Sequence, residues 1–262
     1  MAIAHAGSVD RPTKAHEVRA IGAADLRSAL REGWADFMEH RGDLIFAGVI
    51  YPLIGFVAAI VALRGSLIHL LFPLIAGIGL LGPAVAIGFY ELARRREQGL
   101  PSDWSHFLDV SRRPAFDSII IVGALLLVIF CAWLITAAAL YMWLIGPAPE
   151  TVGAFLTRLF TTPEGWALIV LGNLAGLAFA AATLTVSVVS MPMLVDKDVD
   201  ARTAIDTSVN AVMANKGAML RWGLIVAALL VLGSIPVFVG LAVVLPVLGY
   251  ATWHLYTKLV VR

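Results

Sequence analysis

The segment SIIIVGALLLVIFCAWLITAAALYMWLIG, Ser118–Gly146, contains no charged residue. An apolar run of about 20 residues is long enough to cross a bilayer core of roughly 30 Å. Inside lipid, a helix satisfies its own backbone polar groups. The rest of the chain agrees with this reading: of 262 residues, 60% are hydrophobic and 14% charged, where a soluble domain carries about 25% charge. The sequence predicts an all-α, polytopic membrane helix bundle.

Working outward from that segment, six spans are expected. They lie near Leu44–Leu63, Leu67–Ala93, Ser118–Gly146 and Trp166–Val195, with two more in the last apolar block, Trp222–Val261. That block is divided at Gly233-Ser234-Ile235-Pro236, where Gly and Pro interrupt the pattern. Residues 1–20 lack the apolar core of a signal peptide and are read as a mobile polar leader on the cytoplasmic side. Residues 21–262 then form a single integral membrane domain. Cys131 is the one cysteine, which excludes an internal disulfide or a CxxC motif.

Span two ends on GFYELARRREQG, Gly88–Gly99. Of the 19 Lys and Arg, 17 fall on one side of the six-span arrangement, and only Arg64 and Arg158 fall on the other. Cytoplasmic loops carry the excess of Lys and Arg. The expected placement is therefore the bacterial inner (plasma) membrane, multi-pass, with both termini cytoplasmic. Glu91, Arg94, Arg95 and Arg96 form a cytoplasmic charge cluster that anchors the end of span two at the membrane surface. Glu91 has the spacing to pair with Arg94 and Arg95.

The cytoplasmic segments repeat. LRSALREGWADFMEHRGDLIFAGVI (Leu26–Ile50) aligns without gaps to ARTAIDTSVNAVMANKGAMLRWGLI (Ala201–Ile225). Each reads as an amphipathic helix followed by a Gly and a span. The predicted apolar faces are Leu26, Leu30, Phe37 and Met38 in one copy, and Ala201, Ala204, Ile205, Val212 and Met213 in the other. Pro101–Pro114 is a shorter version, with Ser102 placed as its cap and Trp104, Phe107, Leu108 and Ser111 along its edge. The expected architecture is three parallel repeats, each an amphipathic cytoplasmic helix plus a two-span hairpin docked together. The hairpin ends also correspond in spacing: Pro83…Glu91…Arg95 with Pro246…His254…Lys258.

In span four, Gly172, Asn173, Gly176, Ala180, Thr183 and Ser187 follow helical spacing. Small and weakly polar residues let membrane helices approach closely and share hydrogen bonds, so these six are helix-packing candidates. Pro52, Pro73, Pro83, Pro192 and Pro246 are expected to kink their spans. In the outer loop, Phe155, Leu156, Leu159 and Phe160 predict a short surface helix, flanked by Trp143 and Trp166 as interfacial anchors.

The spans carry no HExxH, GxSxG, Gly-rich phosphate loop or paired acids. No catalytic, cofactor-binding or metal residues are expected, and the chain is read as a non-enzyme without cofactors. His69 and His254 fall at opposite membrane faces and cannot ligate one haem together. Nucleic acid is not an expected partner, because 16 of the 18 acids share the side that carries the basic residues.

Taken together, GPAVAIGFYELARRREQG (82–99), TTPEGWALIVLGNLAG (161–176), SVVSMPMLVDKDVDARTAIDTSVNAV (187–212) and VLPVLGYATWHLY (244–256) resemble an uncharacterised bacterial integral membrane protein family, domain of unknown function 2189 (DUF2189), over roughly Ile21–Leu259. The resemblance implies a polytopic inner-membrane protein with no assigned activity and no functional residues to carry over. Some members bear a label linking them to cytochrome c oxidase subunit I; the intramembrane His ligands of that subunit are missing here. The functional expectation is a non-catalytic accessory or assembly factor of a membrane complex, with a respiratory oxidase as the first partner to consider beside the lipid bilayer. The alternative is a small-solute carrier or channel. A polar cavity at mid-depth would favour the carrier, and a dry centre the scaffold. An intramembrane enzyme would need a buried nucleophile–base pair, which the sequence does not offer.

Overall fold

The computed structural model describes residues 15–39, 71–147, 152–236 and 239–261. Expected span one lies outside these residues, as does the second half of the first repeat copy. Among the described residues the chain is helical, apart from an isolated antiparallel bridge between Val18 and Val260. The helices are α1 Ala23–Glu39, α2 Leu71–Leu80, α3 Gly82–Val85, α4 Ile87–Glu97, α5 Phe116–Leu144, α6 Val152–Thr161, α7 Pro163–Ser187, α8 Ser190–Asp196, α9 Ala201–Ala214, α10 Lys216–Ser234 and α11 Leu241–Leu259. Among the described residues, three stretches are long and apolar enough to cross a membrane: Phe116–Leu144, Pro163–Asp196 and Lys216–Ser234.

Local chemistry sets the helix ends. Thr162 accepts the Gly165 amide (3.0 Å) ahead of α7, with Pro163 in its first turn. Asp200 caps α9 by accepting from the Thr203 amide (2.7 Å). The basic last turn of α4 suits the negative end of the helix dipole. Gly99, at φ +68°, stops α4 by letting the Leu100 amide fold back to the Arg95 carbonyl (2.9 Å). Pro83, in the first turn of α3, has no N–H to continue a helix from before it. With a further turn at Ala86, the described part of expected span two is three helical pieces, not one. The last apolar block divides where Gly233–Pro236 predicted, between α10 and α11.

The break between α7 and α8 has a definite cause. The Ser208 hydroxyl of α9 sits inside the helical ladder: it accepts from the Val189 amide (3.2 Å) and donates to the Thr185 carbonyl (2.8 Å). Those two groups would otherwise bond each other. An inserted side chain of this kind breaks a helix while leaving both backbone groups satisfied.

The core gathers at the charged end of the molecule, where α4, α8 and α11 pack against one another. Phe89, Tyr90, Leu92, Met191, Met193, Leu194, Trp253 and Tyr256 are fully buried there. α1 runs antiparallel along α11, with Glu32 beside Lys258, Gly33 against Ala251, and Asp36 beside His254. A methyl on Gly33 would lie 2.5 Å from the Ala251 amide nitrogen, so only glycine permits this approach.

Several expectations need correction. The apolar helices were expected to dock on their own hairpins. Among the described residues, α1 instead packs mainly on α11, the two short 3₁₀ turns (Trp104–His106 and Asp109–Arg112) pack mainly on α4, and α9 mainly on α7 and α8. Among the described residues, the 3₁₀ turns and α9 thus rest chiefly on helices that precede them, and α1 on the last helix. The Pro101–Pro114 helix is those two 3₁₀ turns. Its cap is Asp103, which accepts from the Ser105 amide, rather than Ser102, and Leu108 points outward. Met38 and Met213 are exposed; α9 buries Thr203, Ala204, Thr207, Ser208 and Ala211 instead of its larger apolar residues. The described end of the leader makes hydrogen bonds to the rest of the chain. The His16 amide donates to Thr207, Asn215 bridges Arg19 and Ile21, and the Arg19 amide donates to the Leu259 carbonyl. A helix does form where the loop predicted one, as α6: Phe155 packs on Tyr141, and Phe160 on Trp166.

Candidate functional site

The most developed constellation of polar side chains is the ion-paired interface at the charged end. It begins in α1 with Glu32, Asp36 and Glu39, at spacings that place them along one side of the helix. α11 presents His254 and Lys258, one turn apart. Lys258 reaches both Glu32 oxygens (2.9 and 3.1 Å). His254 Nε2 lies 2.7 Å from Asp36, and its Nδ1 lies 3.4 Å from Glu32. Arg96 of α4 completes the row, pairing with Asp36 (2.9 Å) and with Glu39. Burial raises the Glu32 carboxyl pKa, but the Ser28 hydroxyl, the Lys258 ammonium and His254 outweigh it and hold Glu32 below its ordinary value.

A second knot lies beneath. Glu91, 1% exposed, receives Arg94 through two bonds (2.6 and 3.0 Å), and Arg113 stands 3.5 Å away. Arg113 also donates to the Val195 carbonyl at the end of α8. Burial pulls the Arg113 pKa down from its ordinary value. Tyr256 donates to Asp196 (2.7 Å), and Trp253 donates to Glu97 (3.3 Å). Together these bonds lace α4, α8 and α11 to one another. Chemically the two knots form a clamp. Such pairs add little net stability, but removing one partner strands a buried charge. Among the described residues, no group of three or more His, Cys, Asp or Glu is placed to hold a metal ion.

The predicted charge cluster is therefore built differently from its reading as a surface anchor. Glu91 pairs with Arg94 but not with Arg95, which instead reaches Asp109 (3.4 Å) and the Pro101 carbonyl (2.6 Å). All three arginines are engaged by groups of the protein itself.

The six packing candidates of α7 divide. Gly176 faces Trp133 of α5, which a methyl on Gly176 would meet at 3.3 Å. Thr183 and Ser187 are buried. A methyl on Gly172 would meet nothing within 4 Å. Asn173 and Ala180 are exposed, and the Asn173 amide donates to its own helix at the Ile169 carbonyl (2.7 Å). A single contact face along this helix is thus not what forms: half of the stripe faces outward, beside exposed Val170, Leu174 and Leu177.

The sequence reading missed Glu32, Asp36, Arg113 and Ser208. Glu32 and Asp36 at i, i+4, matched by His254 and Lys258 at i, i+4, were a usable signal. The partners stand more than 200 residues apart, so no local rule could join them.

Residues 71–196 match the model of a family described as "Predicted integral membrane protein (DUF2189)". The motifs at 82–99 and 161–176 lie within the match, the one starting at Ser187 runs past its end, and the one at 244–256 lies outside it. No curated protein and no solved structure matches the chain.

Proposed function

We propose that this integral membrane protein works by contact, as a non-catalytic accessory or assembly factor of an inner-membrane complex, with both termini in the cytoplasm. The observation that carries the reading is Asn173. It stands on the outward apolar side of α7, next to Gly172 and among Val170, Leu174 and Leu177. A carboxamide facing hydrocarbon is unfavourable unless another helix meets it. Small residues beside an amide form the kind of surface on which membrane helices associate. The partner such a surface fits is a membrane helix with its own small residues and a hydrogen-bonding side chain. A respiratory oxidase is the first complex to examine.

The test is purification in mild detergent with identification of co-purifying membrane proteins. Gly172→Leu combined with Asn173→Leu should leave a stable protein that loses its partner. Gly176→Leu should instead weaken the chain's own packing against Trp133. Wild type that purifies alone, together with unchanged oxidase activity on deletion, would remove the accessory reading. A periplasm-dependent reporter should be active between Pro147 and Glu164 and silent at the C-terminus.

A carrier is the second reading. The breaks between α2, α3 and α4, and between α7 and α8, favour it, because discontinuous helices build transporter sites. Solute uptake into liposomes containing only this protein would establish it.

A further inference from the structure

We propose that His254 is a pH-sensitive latch for α1: it holds the second half of that helix on α11 while the imidazole carries both protons, and loosens it when one leaves. The geometry is two ring nitrogens against two carboxylates. Nε2 lies 2.7 Å from Asp36, and Nδ1 lies 3.4 Å from Glu32. A neutral imidazole has one N–H and one acceptor nitrogen, whereas an ionised carboxylate only accepts. With one proton, the ring donates to one carboxylate of α1 and turns a lone pair toward the other. With two, it donates toward both and places a positive charge between them.

The surroundings make His254 the member that changes. From α1, Glu32 and Asp36 face the ring, and Glu39 follows one turn on. From α4, Arg96 pairs with Asp36 and Glu39, while Glu97 accepts from Trp253. From α8, Asp196 accepts from Tyr256. On α11 itself, Tyr250 stands one turn before the ring, and Lys258 one turn after it pairs with Glu32. Lys216 and Arg221 of α10, which also packs on α11, are exposed. In the row across the interface, Lys258 and Arg96 thus bring two positive charges against the carboxylates of Glu32, Asp36 and Glu39. An imidazolium at position 254 makes the row balance.

Lysine, arginine and ionised carboxylates keep their charges near neutrality; histidine is the side chain that changes charge between about pH 5 and 8. The sign follows from the donors. The docked arrangement is complete with the protonated ring, so it favours the proton. Docking of α1 is then strongest below that range and weakens as pH rises through it. A bistable contact biased by one histidine proton is a known form of pH switch.

The experiment is hydrogen–deuterium exchange of the full chain in detergent at about pH 5.5 and about pH 8, either side of the imidazole range, with rates corrected for the intrinsic pH dependence of exchange. Peptides from Gly33–Glu39 should lose about tenfold in protection at the higher pH, the scale of one hydrogen bond to a charged group. Peptides from α5 should not change. His254→Gln should remove the pH dependence and leave α1 at the lower protection in both buffers. His16→Gln, His40→Gln and His106→Gln should each leave the dependence intact. Imidazole ¹⁵N shifts of wild type, which require no variant, should show His254 giving up its proton over the range in which α1 loses protection. Protection of α1 that ignores pH, a dependence that survives His254→Gln, or a His254 proton lost outside that range overturns the proposal.

Discussion

Glu91 and Asn173 are both polar residues set in apolar helical surroundings, and the fold treats them in opposite ways. Glu91 is buried and surrounded: Arg94 grips it, Arg113 stands beside it, and its helix is held between α8 and α11. Asn173 projects from the outer side of α7 with one bond to its own backbone. The same contrast separates the two regions to which they belong. At the charged end, aromatic and sulfur-containing side chains are packed to near-zero exposure around ion pairs. Along α5, α7 and α10, large apolar side chains such as Val128, Leu174 and Val231 face outward. The difference teaches where the fold is specified. Apolar side chains in hydrocarbon gain little from choosing one neighbour over another, because lipid is as apolar as they are. Charges removed from water must find particular partners.

The largest break in this comparison should come from Glu91→Ala. It strands the Arg94 guanidinium and removes the neighbour of Arg113, which should cost about 3–5 kcal/mol. Thermal unfolding in detergent would read this as a large drop in Tm, whereas Val128→Ala on the outward face should leave Tm nearly unchanged. Equal effects of the two would deny that stability is concentrated at the charged end.

Gly33→Ala comes next. Helix propensity favours Ala by up to about 1 kcal/mol, yet the new methyl would overlap the Ala251 backbone. Overpacking of this kind costs about 1–3 kcal/mol, so the variant should be destabilised, with α1 levered off α11. Gly172→Ala, with open space around it, should stay within about 0.5 kcal/mol of wild type. Amide exchange along α1 would show whether the loss is local.

A smaller effect should appear in a double-mutant cycle of Glu32→Gln and Lys258→Met. Glu32 is 34% and Lys258 23% exposed, so screening reduces the worth of the pair, and a coupling of roughly 0.2–1 kcal/mol is expected. A coupling of zero would mean that α1 is held without help from this pair, through Leu26, Ala29 and Phe37 and through the ion pairs of Asp36.

The smallest effect is a pH dependence. Glu32 and Asp109 both have pKa values below their ordinary ones in the folded protein. For Glu32 the hydrogen bonds of Ser28 and Lys258 outweigh burial; for Asp109 the hydrogen bond from His106 is the main cause. A depressed carboxylate contributes stability that is present above its unfolded pKa and lost as pH falls through the folded one. The contribution of these two groups to the melting temperature should therefore hold steady above about pH 4.5, near the ordinary value for Glu, and decline below it. Glu32→Gln should flatten part of that decline.

Much of the architecture could be read directly from the sequence. Helical character follows from 29 successive residues without a charge, since a run of that length in lipid satisfies its own backbone as a helix, whereas barrel strands are about 9–11 residues long. The division at Gly233–Pro236 and the helix α6 follow from local rules about Gly, Pro and amphipathic spacing, which act within a few residues. The break at Val188–Val189 was half visible: Pro192 marks the neighbourhood, but the hydroxyl that satisfies the break comes from Ser208, on another helix.

By itself, then, the sequence determined the chain's apolar surroundings, most of its helices and those stops that Gly and Pro mark, because burial of apolar surface and backbone hydrogen bonding are properties of short segments. The tertiary structure alone decided which charges meet. Asp36 and His254 lie 218 positions apart, and α1 could pair with any hairpin end that offers cations. It also decided which side of α7 faces inward, since Gly172 and Gly176 are alike in the sequence and only the position of Trp133 separates them. Both outcomes depend on how helices are arranged in space, and local spacing carries no information about that arrangement.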